Sequence, residues 1–149
     1  MELYVSPFAC SFAARVAIYE AGLESEIRLR AVDLKTHMLD NGQSYLAVHS
    51  VGQVPALLTR EGRVLTENLA ILLYIADMTK TASLGPRDGY ARYELLQWLS
   101  FISCVFKALV SSTPNRTAQE AAMARPSVAR AIADEMMLLG AASGANGTV

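Results

Sequence analysis

The sequence predicts an α/β domain ordered βαβ then ββα over residues 1–78, joined by a linker at 79–86 to a small all-α domain. Three observations carry this reading. Strand-like and helix-like signals alternate as far as Met78, residues 79–86 are rich in Thr, Ser, Gly and Pro, and beyond them the apolar periodicity is purely helical. With 149 residues, 52% apolar and 18% charged, the chain can bury a core and is too weakly charged to be disordered.

Leu3-Tyr4-Val5 is a short apolar run closed by Ser6-Pro7-Phe8, which reads as a strand. From Cys10 the spacing becomes helical through Phe12, Ala13, Val16, Ala17 and Glu20, and Gly22 supplies the stop. Ile27, Leu29 and Ala31 then alternate with Arg28 and Arg30, a strand with one buried face, parallel to the first if the helix is a crossover. A polar connection carrying Lys35, His37 and Asn41-Gly42 follows. Residues 54–59 and 63–66 flank Arg60-Glu61-Gly62 as a hairpin. Thr66 can cap a helix from Glu67 to about Met78, with Leu69, Leu72, Leu73 and Ala76 on its apolar stripe.

After the linker, Tyr93, Leu96, Leu99, Ile102, Val105 and Leu109 form a stripe along a helix from Asp88 to about Val110, long enough to be a domain spine. Ser111-Ser112-Thr113-Pro114-Asn115 ends it. Residues 117–124 and 126–139 read as two more helices, the second with Pro126 in its first turn, and 141–149 as a disordered tail.

A net charge of −1 gives no electrostatic motive for binding nucleic acid. No run of 18 apolar residues is present, and the first residues lack the basic start of a secretory leader, so a cytoplasmic protein is expected. Cys10 and Cys104 do not make a disulfide framework, and no Cys/His group has metal-ligand spacing, so no metal is expected.

Three places could carry chemistry. Cys10 falls at the first turn of a helix, where free N–H groups and the macrodipole favour a thiolate; the alternative is a small buried apolar residue. Val54-Pro55 opens a strand, and a cis bond there would offer the N–H and C=O of Val54 to an extended peptide. The alternative is a proline that only ends a loop. Thr66-Glu67-Asn68 starts a helix whose N–H groups suit a carboxylate while Glu67 accepts an ammonium group, or it is an ordinary cap.

In their order and spacing these segments resemble the glutathione transferase family, particularly its bacterial beta-like members with an N-terminal cysteine. The matching runs are Ser6-Pro7-Phe8-Ala9-Cys10-Ser11, Tyr45-Leu46-Ala47-Val48, Gly52-Gln53-Val54-Pro55-Ala56-Leu57 and Leu65-Thr66-Glu67-Asn68-Leu69-Ala70-Ile71, within residues 1 to about 110. The resemblance implies a thioredoxin-like N-terminal domain that holds glutathione as co-substrate and a helical domain that covers an electrophilic or disulfide substrate. It implies that Cys10 faces the glutathione sulfur, with Ser11 as a neighbouring hydroxyl donor. Lys35 would meet the glycine carboxylate, and Gln53, Val54 and Pro55 would line the cysteinyl backbone. Glu67 and Asn68 would hold the γ-glutamyl group.

The chain also departs from that family. The late His-Lys pair of the long helix is absent, its position falling on Phe106 or Lys107, and His37 and His49 read as exposed loop residues without a role. Relative to the family the helical domain, residues 87–140, is incomplete. Arg125-Pro126-Ser127-Val128 resembles the opening of the family's last helix, which suggests an internal deletion. A domain of about 60 residues buries only about 60% of its surface and needs support. A homodimer with an open acceptor site is therefore expected.

Overall fold

A computed structural model describes residues 1–79 and 84–109 and, further on, Pro126, Ser127, Arg130, Ala131, Ala133, Asp134 and Met137. The expected helix at 117–124, the tail at 141–149 and residues 80–83 of the linker lie outside the described residues, as do the side chains of Cys104, Phe106 and Lys107.

The sheet is organised on β1 (Glu2–Val5), which pairs in parallel with β2 (Arg28–Asp33) and antiparallel with β4 (Ala56–Leu58). The crossover between β1 and β2 is α1 (Ser11–Ala21). β4 continues through the Arg60-Glu61-Gly62 turn into β5 (Val64–Thr66) and then α2 (Asn68–Met78). The strand order is β3-β2-β1-β4-β5, the thioredoxin-like βαβ-ββα arrangement that the resemblance implies. The two-residue β3 (Met38–Leu39) was not expected. It pairs with β2 inside the connection that reads as merely polar, and a single turn at Tyr45–Ala47 follows it.

Side-chain alternation sorts β1 between two cores. Leu3 and Val5 face the helices, where Ala14 and Ile18 of α1, Leu57, and Ile71 and Ile75 of α2 are buried with them. Each such aliphatic side chain contributes about 1.5–3 kcal/mol through removal from water. Tyr4 faces the other side with Val32, Leu39, Tyr45 and Ala56, a second core closed by the β2–β4 connection instead of a helix.

That second core corrects the expectation for β2. Arg28 is exposed as the alternation requires, but Arg30 is buried. It lies across from Tyr4, and its guanidinium donates to Asp40 at 2.7 and 3.0 Å and to Glu2 at 3.2 Å. A buried arginine is tolerated because two carboxylates satisfy it.

The helix faces are also rotated from those expected. On α1 the buried positions are Ser11, Ala14, Arg15, Ile18 and Ala21, with Ala13 exposed; small residues at Ser11 and Ala14 let the helix approach the sheet closely. On α2, Ile71, Ile75 and Ala76 are buried while Leu69, Leu72 and Leu73 are only half-buried. The cap residue of α2 is Glu67, at φ 66°, and not Thr66, which ends β5.

The long helix α3 (Gly89–Leu109) is tied to α2 by Arg92, which donates to Asp77 at 2.9 Å and to the Pro86 carbonyl at 3.1 Å. Leu95, Leu96 and Leu99 are half-buried; Tyr93 and Ile102, expected on the same stripe, are exposed. Ser127, Arg130 and Asp134 reach α1 and the turn after it: Tyr19 donates to Asp134, Ser127 to Glu20 and Arg130 to Glu24, while the Arg130 guanidinium lies 4.3 Å from the Tyr19 ring centre. Ala131 is fully buried. Among the described residues no helix is long and apolar enough to cross a membrane.

Gly22 closes α1 at φ 66°, ψ 34°, its N–H reaching the last helical carbonyls, and a Cβ there would touch nothing within 4 Å. Only backbone conformation opposes a side chain at this position. Gly22→Ala is expected to cost about 1 kcal/mol and to lower the melting temperature by about 2–4 °C, measured by thermal denaturation.

Candidate functional site

Strand register gathers the candidate residues along one edge of the sheet. Tyr4 pairs with Ala56 and Ala56 with Thr66, so the end of β1, the start of β4 and the end of β5 coincide. Immediately beyond them lie the Ser6–Cys10 turn, Val54-Pro55 and Glu67-Asn68. Val5 pairs in parallel with Ala31, so β2 also leaves the sheet on this edge and runs into Lys35.

Cys10 occupies the N-cap position of α1, is free and is exposed. The turn before it is held by Ala9 N–H to the Ser6 carbonyl at 3.3 Å and Phe12 N–H to the Ala9 carbonyl at 3.0 Å. The chain therefore presents this thiol at the positive end of the α1 dipole. The buried alternative for Cys10 does not hold.

Ser11 is fully buried. Its hydroxyl accepts from the Ser6 N–H and donates to the Ser6 carbonyl, each at 3.2 Å, stapling the end of β1 to the first turn of α1. In this structure it acts on backbone.

The Val54–Pro55 peptide bond is cis, with Pro55 buried and Val54 half-buried. Among the described residues neither backbone group of Val54 has a hydrogen-bond partner. Gln53 is exposed, and its carbonyl accepts the Tyr45 hydroxyl at 2.7 Å. Burial pushes the Tyr45 hydroxyl well above its ordinary range, so it remains a neutral donor.

Glu67 is exposed, its backbone in the left-handed half of conformational space at φ 66°, while its carbonyl accepts the Ile71 N–H at 3.1 Å. The neighbouring Asn68 has a buried side-chain Oδ1 without a hydrogen-bond partner among the described residues. A buried amide oxygen left open beside an exposed carboxylate is a place where a ligand N–H or ammonium gains more than water offers.

Lys35 is exposed in a loop organised by Asp33. The Asp33 carboxylate accepts from the Lys35 N–H at 2.9 Å and from the Thr36 hydroxyl at 2.8 Å. The Lys35 N–H first, then the Thr36 hydroxyl, hold its carboxyl below the ordinary carboxylate range. Neither Asp33 nor Tyr45 was singled out from sequence. An Asp two residues before Lys35 and three before Thr36 has the spacing of an Asx turn and could have been noticed.

The two histidines correct their expectation: both are half-buried. The His49 ring stacks near Tyr45 at 6.2 Å, and its Nδ1 accepts the Val51 N–H at 3.2 Å. His37 sits against Gly52. Taken together, the edge offers an exposed thiol, an unpaired backbone N–H and C=O, a carboxylate beside an open amide oxygen, and an ammonium group on a tethered loop. That set suits an extended, zwitterionic, sulfur-bearing ligand.

Two outcomes follow from this geometry. Ser11→Ala leaves a buried Ser6 N–H without a partner and is expected to cost about 1–3 kcal/mol, read as a fall in melting temperature of several degrees. The folded-state pKa of Asp33 is depressed, so its anchoring of the Lys35 loop is present above the unfolded carboxylate pKa and is lost as pH falls through the folded value. The Lys35 amide resonance should therefore titrate with a midpoint below that of an ordinary aspartate, and in Asp33→Asn this acid transition should vanish.

Comparison with known proteins agrees with the fold. The family model described as glutathione S-transferase, N-terminal domain, matches residues 1–77. The chain is 40% identical over 104 residues to glutathione S-transferase GstA of Escherichia coli O157:H7, an alignment covering 69% of this chain and 51% of that protein. It thus spans about half the length of the curated relatives it matches. A sphingomonad glutathione S-transferase complexed with glutathione superposes with a TM-score of 0.69 at 38% identity, over 93% of this chain and 68% of that one. The bacterial beta class glutathione S-transferase of Sphingomonas chungbukensis does so with a TM-score of 0.68 at 40% identity, over the same shares. The chain belongs to the glutathione S-transferase family and is similar to its bacterial beta class.

Proposed function

We propose that this chain binds glutathione along the edge formed by Cys10, Val54 and Glu67. The observation that carries the reading is the unpaired backbone of Val54 between an exposed thiol on one side and Glu67 with the open Asn68 oxygen on the other. In this reading the peptide lies extended beside Val54, exchanging backbone hydrogen bonds with its cysteinyl unit over Gln53 and the buried Pro55. Its γ-glutamyl ammonium meets Glu67 and its head group also meets Asn68, while Lys35 takes the glycine carboxylate. The known complex of the sphingomonad relative supports glutathione as the ligand.

The sulfur then lies beside Cys10 and the first turn of α1. In conjugation, the glutathione thiolate attacks an electrophile, forming a carbon–sulfur bond as the leaving group departs with its electron pair. In exchange, the Cys10 thiolate attacks a glutathione mixed disulfide, forms the Cys10–glutathione disulfide and releases the other thiolate. Ser11 serves both by holding the turn on which Cys10 stands. Transfer to small electrophilic or disulfide substrates in the cytoplasm is the activity we assign.

The second reading, a glutathione-binding or regulatory protein without turnover, is favoured by one fact: the late His-Lys pair of the family's long helix is absent, its histidine position falling on Phe106 or Lys107. An internal deletion in the helical domain belongs to the same reading. Either protein is proposed to be a homodimer. Tyr90, Tyr93, Trp98, Phe101 and Ile102 on α3 are each at least half exposed, and the Trp98 and Phe101 rings meet edge to face at 6.0 Å. An aromatic face of this kind is more apolar than a solitary chain ordinarily leaves in water.

Calorimetric titration with glutathione, followed by conjugation and thiol-exchange assays, separates these readings. Wild type is expected to bind; Glu67→Ala is expected to bind at least tenfold more weakly through loss of a charge-assisted contact. Cys10→Ala should retain binding and lose thiol exchange. Binding without either activity selects the second reading, and a folded wild type that ignores glutathione removes both.

A further inference from the structure

The two loops that supply Lys35 and Val54 to the proposed site are separate in sequence, and a close contact between His37 and Gly52 joins them. Gly52 has φ 69°, and a Cβ built on it would lie 2.6 Å from both Cε1 and Nδ1 of His37 and 3.1 Å from Leu46 Cδ2. The His37 ring therefore fills the space that a side chain at residue 52 would take. Its Nδ1 is buried there and has no hydrogen-bond partner among the described residues, so the ring serves by its shape.

His37 is itself fixed at both ends of its backbone. Its N–H donates to the Asp33 carbonyl at 2.7 Å, and its carbonyl accepts the Tyr45 N–H at 2.8 Å. The same Asp33 organises Lys35 through its carboxylate, and the same Tyr45 holds the Gln53 carbonyl through its hydroxyl. Gly52 is anchored from behind by its N–H to the His49 carbonyl at 2.8 Å. His37 is thus the wedge between a frame on Asp33 and a frame on Tyr45, one leading to Lys35 and the other to Gln53 and Val54.

We infer that His37 is a positioning residue for ligand binding: its ring, seated against Gly52, sets the separation between the Lys35 loop and the Gln53–Val54 segment. It acts through these two walls without touching the ligand. The inference rests on the glutathione reading above. A preset spacing lowers the ordering cost of binding an extended ligand at both ends, so losing it weakens affinity more than turnover.

The test uses the full chain with His37→Ala, which empties the slot, and His37→Phe, which refills it with a ring lacking nitrogen. Glutathione affinity is measured by calorimetry, and hydrogen exchange is measured at the Gly52 and Tyr45 amides. His37→Ala is expected to speed exchange at Gly52 about tenfold, to weaken glutathione binding about tenfold, and to leave kcat at saturating glutathione within about twofold. His37→Phe should restore both exchange protection and affinity to within about threefold of wild type. Restored protection without restored affinity would show that a ring nitrogen contacts the ligand and would overturn the positioning role. So would a His37→Ala protein that binds like wild type. If wild type itself fails to bind glutathione, the failure is that of the site assignment, seen in wild type alone, and the positioning role falls with it.

Discussion

The pairing of β4 against β1 is the constraint on which the rest of this structure depends. Tyr4 opposite Ala56 places the start of β4 at the end of β1, and Ala56 opposite Thr66 brings the end of β5 to the same edge. A slip of one residue would turn Leu57 out of the helix-covered core, where it is fully buried beside Leu3, and would carry Val54 away from the Cys10 turn. Core packing and site assembly are therefore enforced by the same hydrogen-bond ladder. The aliphatic residues that favour this register lie away from the edge, yet they decide which residues meet there.

The two faces of the sheet are covered by different means, with consequences for function. On one face α1 and α2 pack aliphatic side chains, including Ile18, Ile71 and Ile75, in an ordinary helix-on-sheet layer. On the other, a connection with only two strand residues and a single helical turn covers Tyr4, Arg30 and Val32. Irregular backbone must satisfy its polar groups locally, so this side is rich in tethers: Asp33 to Lys35 and Thr36, Arg30 to Glu2 and Asp40, Tyr45 to Gln53. Those tethers hold the loops that carry Lys35 and Gln53. The regular layer supplies stability, and the irregular one supplies the geometry of the site.

The helical part is bound to the α/β domain at two places. Arg92 clamps the beginning of α3 to α2 and the approach to it. Ser127, Arg130, Ala131 and Asp134, at helical spacing, lie on the outer side of α1 next to Glu20, Glu24 and Tyr19. Tyr19 and Glu20 of α1 are engaged there, while its buried Ala14, Ile18 and Ala21 belong to the core shared with the sheet and α2.

Much was legible in the sequence because the relevant forces are local. Glycine at 22 to end a helix, the short apolar run of β1, two-residue alternation in β2, and the Arg60-Glu61-Gly62 turn are each local signals within a few residues, and they were sufficient for the βαβ-ββα order. The position of Cys10 at a helix start follows in the same way, while its exposure was decided by the fold. Tertiary structure alone decided which polar residues would be buried. Arg30 alternates like a solvent residue and is enclosed because a distant segment folds over it, and Ser11 turns inward because the end of β1 has a backbone N–H to satisfy. The contact of His37 with Gly52 joins residues with no local signal in common. Local preferences are set by the chain itself, whereas burial and partnership depend on what other segments bring to the same place.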